Sequence, residues 1–186
     1  TAMRQGELFA LRWEDVDLSA GVLYVVHNLQ RLDGEWRLKD PKTKRSRRSI
    51  RLTRWAIGAL QEHWRRQQES RRLAGGLWQE NGLVFCTDVG QPLDNKTVTE
   101  RHFYRVLARA GLPRMHFHDL RHTAASLYMA LGVPPRVVQE ILGHSTVLMT
   151  LDTYSHLLPH LQDEAASKMD ALLGPVAPEG RAEQPL

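Results

Sequence analysis

The sequence predicts an α+β fold that is mainly helical, with one small three-stranded antiparallel sheet near its N-terminus. Three observations predict it. The β-branched, aromatic and alternating segments are confined to residues 21–52. Apolar residues recur at helical spacing through most of the remaining chain. Glycine or proline stands where several of these helical patterns stop.

Residues Gly6 to Asp17 read as an amphipathic helix that buries Leu8, Leu11 and Trp13. Gly21 to His27, rich in valine and tyrosine, reads as the first strand. Asp33-Gly34 is a hairpin-turn signal, because both residues tolerate the positive φ of a tight turn. Glu35 to Lys39 forms the second strand, Pro41 to Ser46 a polar basic turn, and Arg47 to Leu52 the alternating third strand. Trp55 to Leu73 carries Ile57, Leu60 and Trp64 at helical spacing and is broken by Gly75-Gly76; Leu83 to Cys86 is a short apolar piece. Thr97 to Ala110 is a helix ending at Gly111 and Pro113, and Leu120 to Leu131 one ending at Gly132. Pro134 to Leu142 has proline in its first turn and Gly143 just past its end. Thr146 to Leu158, at least from Val147, and Leu161 to Leu173 complete the helices. The Pro-, Gly- and Glu-containing stretch 174–186 reads as a flexible tail, leaving 1–173 as one domain.

The 186 residues suit a single core, with ordinary hydrophobic (42%) and charged (25%) fractions. No apolar run approaches the about 20 residues of a membrane helix, and no signal peptide opens the chain, so a cytoplasmic, nucleoid-associated protein is expected. The single cysteine, Cys86, excludes a disulfide framework and a cysteine zinc site. The abrupt helical start reads as a domain cut from a longer protein. Net charge is only +4 but uneven: nine basic residues lie between Arg37 and Arg54 against one acid, Asp40. Such a segment is either the footprint of a polyanion or a solvated hairpin.

Several short constellations can carry chemistry. His118 and Arg121 are three apart and share a helix face. There an arginine can grip phosphate oxygens while a histidine exchanges a proton, although most such pairs are solvated helix faces. Gly143 lets the chain leave its helix in a left-handed turn, which sets His144 at a loop mouth. Tyr154 lies ten residues further on; taken alone, a helical tyrosine is usually packing. Arg4 precedes the first helix, and Lys42 and Lys44 sit in the basic turn, where each is equally readable as a solvated charge.

Together these pieces form a series. Arg4 in Thr-Ala-Met-Arg-Gln-Gly-Glu-Leu is followed by Lys42 in Pro-Lys-Thr-Lys-x-Ser-x-Arg and by His118-Asp119-Leu120-Arg121-His122-Thr123. Leu142-Gly143-His144 and Thr153-Tyr154-Ser155-His156 complete it. In order, spacing and flanking residues, the chain resembles the catalytic domain of tyrosine recombinases (phage integrases) from residue 1 to about residue 158. The resemblance implies a site-specific recombinase that cuts and rejoins DNA through a covalent 3′-phosphotyrosine. It would serve integration or excision of a phage or other mobile element, and act as a tetramer on double-stranded DNA without metal or cofactor.

The resemblance further implies that Tyr154 is the nucleophile and that Arg4 and Arg121 hold the phosphate oxygens. His118 would accept or help move the tyrosine proton, and His144 would donate a hydrogen bond. Lys42, in preference to Lys44, would protonate the leaving 5′-oxygen. Glu7 would brace the site, and Lys44, Arg45, Arg47 and Arg48 would contact the DNA backbone. An upstream DNA-binding arm is expected outside this chain.

Three rivals differ in what they leave unexplained. A metal site at His116, His118, His122 and His144 lacks a completing carboxylate or cysteine set and ignores Arg4, Lys42 and Tyr154. A type IB-like topoisomerase shares the residue types, but the flanking motifs favour a recombinase. A catalytically inactive DNA-binding relative is disfavoured because every expected residue type is present.

Overall fold

The computed structural model describes residues 1–39, 47–154 and 159–174, with side chains for all of these except 152–154, 159–162 and 164. The chain runs through α1 (Gln5–Phe9), a 3-10 turn (Trp13–Asp15), β1 (Val16–Asp17), β2 (Val22–Val25), β3 (Asn28–Leu32), β4 (Glu35–Lys39) and β5 (Arg48–Arg51). Then come α2 (Arg54–Ala74), α3 (Asn95–Thr97), a π-helical stretch (Val98–Phe103), α4 (Tyr104–Arg109), α5 (Asp119–Ala130), α6 (Pro135–Leu142), α7 (Val147–Tyr154) and α8 (Pro159–Leu173). The fold is mainly helical with a three-stranded antiparallel sheet near the N-terminus, as the sequence predicts.

The strands of that sheet are not all the expected ones. Its order is β1-β2-β5, with Val16 opposite Leu23 and Leu23 opposite Ile50. The strand expected at Glu35 to Lys39 pairs instead with β3 in a separate two-stranded ribbon. Asp33 (φ 51°) and Gly34 (φ 84°) form the ribbon's turn, as the Asp-Gly signal predicts. The expected long first helix is also cut short. After Phe9 the backbone leaves the helix: Trp13 donates to the Gly82 carbonyl and Val84 to the Leu11 carbonyl. Of its apolar residues, Leu11 is nevertheless buried in the sheet core, while Leu8 and Trp13 are half-buried against it, Trp13 packing edge-on to Trp64 of α2 with centroids 4.8 Å apart.

Three apolar clusters meet at the N-terminal segment. Ala2 joins Ala125, Met129, Val138 and Leu142 between α5 and α6. Met3 joins Leu11, Leu23, Val25, Ile50 and Val84 beneath the sheet, and Phe9 and Ala10 join Leu29 under the ribbon. Arg4 therefore projects from a segment pinned on both sides. Helix α2 starts at Thr53, whose hydroxyl accepts from the Ala56 amide at 3.2 Å, and stops at Gly75. Its buried Gln67 accepts from the Trp13 indole (2.6 Å) and donates to the carbonyls of Leu83 and Val84 (3.0 Å each), locking the 82–86 segment against the helix.

Helix α6 ends at Gly143, whose φ of 66° is the left-handed conformation expected there. Helix α7 follows and packs against α6 and α5, with Tyr154 as its last residue. Among the described residues no helix is long and apolar enough to cross a membrane. The expected tail, beyond Gly174, and the basic turn at 40–46 lie outside the described residues.

Candidate active site

Glu7 organises one side of the site. It lies at the third position of α1 and accepts from the Arg4 backbone amide at 2.9 Å and from Arg4 Nη1 at 2.8 Å. Its other partner is Arg48 of β5, which donates from Nη2 at 2.7 Å and from Nη1 at 3.2 Å. Burial opposes ionisation of Glu7. The hydrogen bonds and charge of Arg48, followed by the amide and charge of Arg4, outweigh it and hold the carboxyl below its usual range. The three groups differ in exposure. The side chains of Glu7 and Arg48 are 7% and 6% exposed, whereas that of Arg4 is 42% exposed and open to a ligand.

Arg48 thus has a different place from the one expected of a backbone-contacting residue: it is buried, and its Nε also donates to the Ile141 carbonyl at 2.7 Å. The physical reason is strand periodicity. Residues two apart in a strand share a face, and Ile50 is fully buried, so Arg48 points inward while Arg47, Ser49 and Arg51 point to solvent. That alternation was the signal available in the sequence. Arg48 lies against Gly143, where an added Cβ would come within 2.9 Å of Arg48 Nη1. The glycine is therefore needed for its left-handed turn and for the room it leaves the guanidinium.

Arg121 occupies the other side. It is 4% exposed, and its guanidinium donates to the carbonyls of Ala2 (2.5 Å) and Leu142 (2.6 Å). It thereby ties the segment before Arg4 to the end of α6. His118 precedes α5 at its N-terminus, with the His122 ring one turn on, centroids 5.0 Å apart. Desolvation by burial lowers the His118 pKa, as do the charges of His122, Arg121 and Arg4, with Asp119 opposing. His144 follows Gly143. Its pKa is lowered to about 4, first by burial and then by Arg121, Arg4, His122 and Arg48. Both histidines therefore feel both arginines. The structure brings Arg4, Arg121, His118 and His144 into one electropositive cluster in which the imidazoles stay neutral at pH 7.

His144 has a partner that the sequence reading did not single out. Its Nδ1 lies 3.0 Å from Oγ1 of Thr150, a completely buried residue of α7. Thr150 stands four residues before Tyr154, one helical turn away.

Of the remaining candidates, Tyr154 has a described backbone at the end of α7, while its side chain is outside the described set. Lys42, Lys44 and Arg45 lie outside the described residues. Arg47 is exposed beside a cleft of about 270 Å³ lined also by Ser49, Arg136, Gln139, Gly143 and His144. Among the described residues no group of three or more His, Cys, Asp or Glu side chains is arranged to hold a metal ion.

The fold and this cluster define a known class. Residues 1–160 match the phage integrase family, and the chain belongs to it. It is 34% identical over 184 residues to the tyrosine recombinase XerC-like protein of Caldanaerobacter subterraneus subsp. tengcongensis, covering 92% of this chain and 47% of that protein. It is 32% identical over 178 residues to the ICEBs1 integrase of Bacillus subtilis, covering 93% and 46%. The chain spans about half the length of these curated relatives. Among solved structures, it resembles the Tn1549 transposon integrase in complex with circular intermediate DNA. The TM-score there is 0.72 at 26% identity, covering 92% of this chain and 56% of that one.

Proposed function

We propose that this chain is the catalytic part of a site-specific DNA recombinase. It cuts and rejoins DNA strands by metal-independent transesterification, in the integration or excision of a phage or other mobile element. The observation that carries the reading is the convergence of Arg4, Arg121, His118 and His144 from three separate parts of the chain, next to the helix that ends in Tyr154. Two buried or braced arginines are what a phosphodiester needs when no metal supplies the positive charge.

In this reading Tyr154 attacks the scissile phosphorus and the 5′-oxygen leaves. The bond to phosphorus passes from the 5′-oxygen to the tyrosine oxygen, giving a 3′-phosphotyrosine. A 5′-hydroxyl from another strand then reverses the exchange without loss of phosphodiester energy. Arg4 and Arg121 hold the two non-bridging oxygens. Glu7 and the carbonyls of Ala2 and Leu142 fix their planes in advance, so little reorganisation is needed as charge builds up. His118, kept neutral by burial and by its cationic neighbours, accepts the phenol proton, and His144 donates to a phosphate oxygen. Lys42, or Lys44 beside it in the same turn, protonates the leaving oxygen. Arg47 with Lys44 and Arg45 contacts the flanking backbone, whereas Arg48 braces Glu7. Double-stranded DNA is the substrate, and four protomers assemble on it, inside the cell.

The test is a nicked suicide duplex carrying the attachment site of the element that encodes the chain. A covalent protein–DNA adduct is expected that forms equally in EDTA and is lost in Tyr154→Phe. No adduct, or one requiring a divalent metal, would refute the proposal. Relaxation of supercoiled plasmid lacking the site would favour a topoisomerase instead.

A further inference from the structure

We propose that Thr150 is a positioning residue for His144: its hydroxyl donates to Nδ1 and thereby fixes the imidazole as the tautomer with its proton on Nε2. The direction of this hydrogen bond rests on the functional reading above, whereas the contact itself is independent of it. A neutral imidazole carries one N–H, and a hydroxyl can pair with either tautomer, donating to a bare Nδ1 or accepting from a protonated one. A half-buried ring beside Arg121 and Arg4 stays neutral, so it can donate to an anion from Nε2 only if Nδ1 is the acceptor.

Thr150 supplies the hydroxyl at 3.0 Å from that nitrogen and is completely buried, so water does not compete for the contact. The loop carrying the ring is held independently. The His144 amide donates to the Gln139 carbonyl (3.1 Å), and Gln139 Nε2 donates to the His144 carbonyl (3.0 Å). The backbone is thus pinned by α6 and the ring by α7.

The position of Thr150 gives the contact a second consequence. Residues four apart on a helix share a face, so Thr150 and Tyr154 lie on the same side of α7, one turn apart. The hydrogen bond that sets the tautomer of His144 also sets the helix that carries Tyr154 against the cluster. A misdocked α7 therefore leaves His144 without its Nδ1 donor, which couples the phosphate donor to the helix of the nucleophile.

The experiment compares wild type, Thr150→Val, which keeps the volume and loses the hydroxyl, and Thr150→Ser, which keeps the hydroxyl. Long-range ¹H–¹⁵N spectra of His144 in the chain without DNA read the tautomer directly. Wild type and Thr150→Ser are expected to show Nε2 protonated and Nδ1 bare, and Thr150→Val a mixture. A wild-type ring protonated on Nδ1, or a tautomer unmoved by Thr150→Val, would overturn the proposal. On the nicked suicide duplex, Thr150→Val is expected to form adduct about tenfold more slowly with unchanged DNA affinity, and Thr150→Ser to recover most of the rate. Equal rates in all three would overturn the catalytic consequence. Absence of adduct from wild type would instead count against the recombinase reading, while the spectra still decide the role of Thr150.

Discussion

Replacing Arg48 by methionine removes the cation that faces buried Glu7 while keeping much of the side-chain volume. The wild-type pair has contacts of 2.7 and 3.2 Å with both side chains under a tenth exposed, and Arg48 also satisfies the Ile141 carbonyl at 2.7 Å. Breaking a buried ion pair from one side typically costs about 3–5 kcal/mol, because the remaining charge stays buried and uncompensated. Arg4 still faces Glu7 at 2.8 Å, so the lower end, about 3 kcal/mol, is expected. For a domain of this size that is a fall in melting temperature of about 6–12 °C. Urea unfolding by circular dichroism measures it.

The pH dependence supplies an internal check. In the wild type Glu7 titrates below its ordinary 4.5, so its contribution is present above that value and is lost as pH falls through the folded pKa. In Arg48→Met burial is no longer outweighed by two arginines. Protonation of Glu7 then relieves the variant, and the gap to wild type narrows toward acid pH. Adding Glu7→Gln to Arg48→Met should cost less than the sum of the two single changes. A loss below about 1 kcal/mol, or a gap independent of pH, would refute the claim that Arg48 acts as a buried brace.

The other expectations concern His144, Gly143 and Thr53. His144 has a folded pKa of about 4 against an ordinary 6.5, so the unfolded chain takes up its proton first. Its contribution to stability is full above the unfolded pKa, falls as pH drops between the two values and is flat below; in His144→Gln, unfolding curves should lose that part of the acid dependence. Gly143→Ala forces a Cβ into a φ of 66° and within 2.9 Å of Arg48. It should cost at least about 1–2 kcal/mol in denaturant unfolding, and a neutral result would mean that Arg48 can move aside freely. Thr53→Ala removes the cap of α2 and should cost about 1 kcal/mol, with adduct formation on the suicide duplex unchanged.

What the sequence revealed follows from which signals are local. Helices α2, α5 and α6 were readable because glycines or capping residues bound them, and Gly143 takes the left-handed turn its motif implies. The shortening of the first helix was not readable, because Leu8, Leu11 and Trp13 can face the core from a helix or from a backbone that pairs with residues 82–84. Strand β3 was missed because its Asn-Leu-Gln-Arg-Leu alternation is weak and its partner lies across the turn. Arg4, His118, Arg121 and His144 were visible as motifs, but their shared electrostatics depends on contacts between distant segments. Arg48 was visible as a charge, and its inward direction lay in its two-residue spacing from Ile50.

The central claim is that Tyr154 becomes covalently joined to DNA. The most direct measurement is to trap the adduct on the nicked suicide duplex, digest protein and DNA, and map the nucleotide-bearing peptide by mass spectrometry. The expected result is one modified peptide with a 3′-nucleotide phosphate on Tyr154, absent from Tyr154→Phe. A nucleotide on any other residue, or an adduct that persists in Tyr154→Phe, would contradict it.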